Sequence, residues 1–170
     1  MTLKLVTLAD AIKTDLDAGL AADDFSLPFS THVLWSKRVL NVPQGEAKDI
    51  RVEIVPIEFS RQLDSANEWT DVCMVDIGIR KKITLPEKDR DSGSASDEAV
   101  KSLLNLVDEL LTFFLPSETN DGRLNSLPSA VWHEAIEEQR RIPKVDVTIL
   151  WSELQNQLFF AYFPLFYAVS

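Results

Sequence analysis

In the run Thr70-Asp71-Val72-Cys73-Met74-Val75-Asp76-Ile77-Gly78-Ile79-Arg80-Lys81-Lys82, Cys73, Val75, Ile77 and Ile79 share one parity. Asp76, Gly78, Arg80 and Lys82 share the other. A period of two with that contrast predicts a strand with one face buried and the other wet. After a loop from Leu85 to Ala95, Ser96 is placed to cap a helix, and Asp97 and Glu98 put negative charge on its positive end. Val100, Leu103, Leu104, Val107, Leu110, Leu111 and Phe114 then form a broad apolar stripe, with Lys101, Asn105, Asp108 and Thr112 opposite it. Pro116 closes the element. A stripe that wide cannot stay in water, so the helix is expected to lie on a sheet face.

Upstream, Thr7 is a candidate cap for a first helix in which Leu8, Ile12, Leu16 and Leu20 recur every four residues. Asp10, Lys13, Asp15 and Asp17 fall on its wet side, Gly19 near its end, and Pro28 in the connector. Val33, Trp35 and Val39 alternate with His32, Ser36 and Arg38 and predict a first strand. Asn41 to Lys48 holds Pro43 and Gly45 and reads as a turn or a short excursion. Ile50, Val52 and Ile54 oppose Arg51 and Glu53 in a strand expected to stop near Pro56. Glu58 to Glu68 is a polar connector, either a loop or a hairpin arm. Pro86 to Ala95 and Ser117 to Pro128 read as loops. Residues 129–141 stay open: Pro128 favours a helix start, while Trp132, Glu134, Ile136 and Glu138 alternate as in a strand.

On the last strand, Phe159, Ala161, Phe163, Leu165, Tyr167 and Val169 share one face, and Phe160, Tyr162 and Phe166 the other. A strand apolar on both sides is either central in its sheet or covered by another subunit. Pro164 cannot donate to a ladder, which disfavours a fully paired central strand. Phe160, Tyr162 and Phe166 are therefore candidate subunit-interface residues. These elements predict a single α+β domain over residues 1–170. Its sheet is expected to be mostly antiparallel, with about four strands covered by the long amphipathic helix and an N-terminal helix.

Residue chemistry narrows function by exclusion. The net charge of −10 argues against unaided nucleic-acid binding, which needs clustered Lys and Arg to displace counterions. Cys73 is the only cysteine, so neither an intrachain disulfide nor a multi-cysteine zinc site is expected. His133-Glu134 resembles the start of a zincin helix, but Glu137 stands where the second histidine is required. The chain has no Gly-Lys-Ser or Gly-Lys-Thr phosphate loop, no spaced Gly-rich fingerprint and no Gly-flanked serine elbow. No enzyme activity, metal or cofactor is expected. Arg80, Lys81 and Lys82, joined by Lys88 and Arg90, form the basic cluster of note. It reads as the charged end of a strand or as a docking contact for an acidic partner or passing DNA. Trp35, Trp69, Trp132 and Trp151 are spread out, as core or interface anchors are. Met1 to Leu8 lacks the apolar core of a signal peptide. Leu158 to Val169 is too short to span a membrane, and Pro164 interrupts it. No membrane association is expected, and synthesis in a reducing cytosol is.

Taken in order, the elements resemble the phage tail-terminator, or tail-completion, proteins. The likeness rests on the N-terminal helix Leu8 to Leu20 and on Arg51-Val52-Glu53-Ile54-Val55-Pro56, which ends at a proline. It continues through the strand Asp71 to Lys82, acidic at its start and basic at its end, and the helix holding Leu106-Val107-Asp108-Glu109-Leu110-Leu111. Pro143 and Asp146, then Leu154, lead into the aromatic strand Phe159 to Val169. The segment Ser126 to Arg141 departs from the pattern by its length and helical character. The resemblance implies a virion structural protein without catalytic residues, assembled in the host cytoplasm. It would form a homo-oligomeric, hexameric ring between the tail tube protein and the head-tail connector or stopper. DNA would pass through the lumen without sequence-specific binding, and an acidic wall would not trap it. Two alternatives stand beside it: another connector or stopper protein of the neck, and a cytosolic module binding a small ligand under the main helix.

Overall fold

The computed structural model describes residues 3–35, 49–63, 67–83, 94–133, 145–154 and 157–170, with 94–96 described by their backbone alone. Helix α1 (Lys4–Ala21) leads into β1 (Ser30–Val33), β2 (Arg51–Leu63) and β3 (Trp69–Lys82). Helix α2 (Ser94–Phe114) is followed by β4 (Ala130–Trp132), β5 (Thr148–Ile149), the single turn α3 (Trp151–Leu154) and β6 (Leu158–Val169). The strands form one six-stranded sheet in the order β1-β2-β3-β6-β4, with β5 also on β6.

This corrects the expected fold class. The architecture is mixed α/β, with a curled six-stranded sheet in place of a four-stranded one under a single long helix. Only three helices accompany it among the described residues. The parallel pair β1–β2 is one source of the difference, because parallel neighbours need a long connection, here residues 34–50. The short strands β4 and β5 are the other, since two or three residues carry no readable period. The helices also share the work differently from expectation: α1 lies against β1, β2 and β3, while α2 approaches β6.

One face of the sheet supplies the core. Val52 and Ile54 of β2, Cys73, Val75, Ile77 and Ile79 of β3, and Phe159, Phe163 and Tyr167 of β6 pack with Leu8, Ile12 and Leu16 of α1. Leu103, Leu106, Val107, Leu110 and Phe114 of α2 close the same cluster. The α1 and α2 helices meet at Gly19, where a Cβ would stand 2.8 Å from the Phe25 ring and 3.1 Å from that of Phe113. Glycine is what permits that approach.

Local expectations shift with this arrangement. Helix α1 begins at Lys4, so Thr7 lies inside its first turn, and its Oγ1 bonds back to the Leu3 carbonyl instead of capping. Asp15, placed by periodicity on the wet side, is buried and accepts the backbone N–H groups of Asn125 and Ser126 at 2.8 and 2.9 Å. It thus fastens the loop after α2 to α1. Strand β2 does not stop at Pro56. A bulge between Pro56 and Glu58 carries it on to Leu63, and the Glu58–Glu68 connector is a hairpin arm with β3. The first strand ends at Val33, and Ser36 to Val39 lie outside the described residues. Ala130–Trp132 is strand, whereas 134–141 lie outside them, as do the segments 41–48 and 86–93 read as turn and loop.

Strand β6 is central, paired along its length with β3 and on its other side with β4 and β5. Pro164 is tolerated because it falls between the two short partners: β4 faces residues 167–169 and β5 faces 161–162.

Candidate functional site

The chemistry-bearing residues collect on the sheet face turned away from the core. Registers across β2, β3 and β6 align Arg51–Arg80–Phe160 in one row and Glu53–Gly78–Tyr162 in the next. Val55–Asp76–Pro164 and Glu58–Met74–Phe166 follow. The basic cluster and the aromatic set, far apart in sequence, are thereby brought together. The Arg80 guanidinium stacks 4.7 Å from the centre of the Phe160 ring, and the Phe160 and Tyr162 rings are 5.6 Å apart.

Arg80 is 1 % exposed and cannot serve as a docking side chain. It donates from Nη2 to Glu53 Oε2 at 3.3 Å, with Nε 3.2 Å from Oε1, while Arg51 Nε lies 3.5 Å from the same oxygen. Burial lowers the Arg80 pKa, and the Glu53 carboxylate opposes that shift. Gly78 lies under this arrangement, where a Cβ would reach ordinary contact distance of Phe160 and Glu53, 3.4 and 3.6 Å away. A carboxylate held by arginines on this face ties β2 to β3. Lys81 and Lys82 are half-buried at the end of β3, and Lys88 and Arg90 lie outside the described residues. Phe160 is covered within the subunit, whereas Tyr162 and Phe166 remain half-exposed.

The two histidines and the cysteine do not converge. His32 on β1, its Nε2 2.8 Å from Ser30 Oγ, and His133 just after β4 stand at opposite edges of the sheet. Burial lowers the His133 pKa. Cys73 is buried on the core face, where burial pushes its thiol up to about 11 and away from thiolate reactivity. Among the described residues, no group of three or more His, Cys, Asp or Glu is placed to hold a metal ion. In that same set, no helix is long and apolar enough to cross a membrane. A groove of about 850 Å³ lies beside α2, lined among others by Leu27, Phe29, Ile50, Lys82, Ile83 and Leu103.

The feature that periodicity did not single out is the far end of the β2–β3 hairpin. Phe59, Leu63 and Trp69 are 38, 52 and 65 % exposed. All three have the parity of Cys73, the face that α1 covers further along, but they lie beyond the helix. Asp71 anchors this arm. Arg61 Nε and Lys4 Nζ each lie 2.6 Å from its carboxylate, and Lys4 also donates to the Val169 carbonyl at 3.0 Å. Arg61 first and Lys4 second hold the Asp71 carboxyl down at about 2.

No family model matches the chain, and no curated protein matches it. Function is therefore argued from the geometry.

Proposed function

We propose that this chain is a virion structural protein of the tail-terminator kind. It would be a ring subunit that closes the tail tube and joins it to the head connector. The observation that carries the reading is the pair of unlike apolar surfaces on one sheet. One is the exposed arm face with Phe59, Leu63 and Trp69, and the other is the half-exposed reverse face with Tyr162 and Phe166. A subunit that repeats around an axis needs two different complementary surfaces. The order of the elements supports the reading, as does the net charge of −10, which suits a lumen through which DNA slides. Polymerisation of tail tube protein in the presence of the purified chain tests it. Capped tubes that stop growing are expected, and tubes that elongate unchanged would overturn the proposal.

The groove beside α2 favours a second reading, a module binding a small ligand, because its volume lies in the range of ligand pockets. Ligand-dependent thermal stabilisation that Leu103→Trp abolishes would favour that reading over the ring.

A further inference from the structure

We draw no further inference here: the strongest candidate, the groove beside α2 whose described lining joins apolar Leu27, Phe29, Ile50 and Leu103 to Lys82 and Asp49, belongs to the ligand reading already given, and its mixed charges select no ligand chemistry.

Discussion

Asp71 gathers three parts of the chain at one carboxylate: the first turn of α1, the arm through Arg61 and, by way of Lys4, the end of β6. Its folded pKa lies below the ordinary value of 3.8, at about 2. The ionised form is therefore the one the fold favours, and its contribution is complete above 3.8 and lost as pH falls towards about 2. Acid titration of the unfolding midpoint should show this drop, and Asp71→Asn should remove it across that window. Equal acid sensitivity of the two proteins would mean that the ion pairs contribute nothing. Glu53 is the second residue whose loss should be felt. Removing it by Glu53→Ala strands Arg80, which is 1 % exposed, and should cost about 3–5 kcal/mol in chemical denaturation. Sequence alternation placed Arg80 correctly on the face opposite Ile77 and Ile79, but not its burial. That depends on Glu53 of β2 and Phe160 of β6, which only the registers bring alongside.

At the scale of elements, α2 is buried along the stripe that its sequence displays, with Leu103 at 3 % and Leu110 at 0 % exposure. Leu103→Ala and Leu110→Ala should each cost about 2–5 kcal/mol, read as a lowered unfolding midpoint. Unchanged midpoints in both would mean that the stripe is not part of the core. The long strands and both long helices were legible for the same reason, since each carries many turns or pleats of its period. The arm reads in the sequence only as a loop or a hairpin arm, because the bulge after Pro56 shifts the parity: Val52 and Ile54 lie on the core side of the sheet at even positions, Phe59 and Leu63 on that side at odd ones. Asp15 escaped because a carboxylate on a helix normally signals solvent. Here two backbone N–H groups of a distant loop satisfy it. The centrality of β6 was obscured by Pro164, whose place between β4 and β5 no local pattern reveals.

For the whole molecule, the proposed ring concentrates like charge. Six copies at −10 each bring together on the order of −60, so association should strengthen as salt screens that repulsion. Association that weakens steadily with salt would instead make local ion pairs the dominant force. The candidate surfaces were only half legible, since Tyr162 and Phe166 stand out in the sequence while the arm depends on a bulge and a register. The most direct measurement of the central claim is electron microscopy of tail tubes incubated with the purified chain. A single six-fold ring seated at one end of each tube is the result expected. Bare tube ends, or the chain bound along the tube wall, would contradict it.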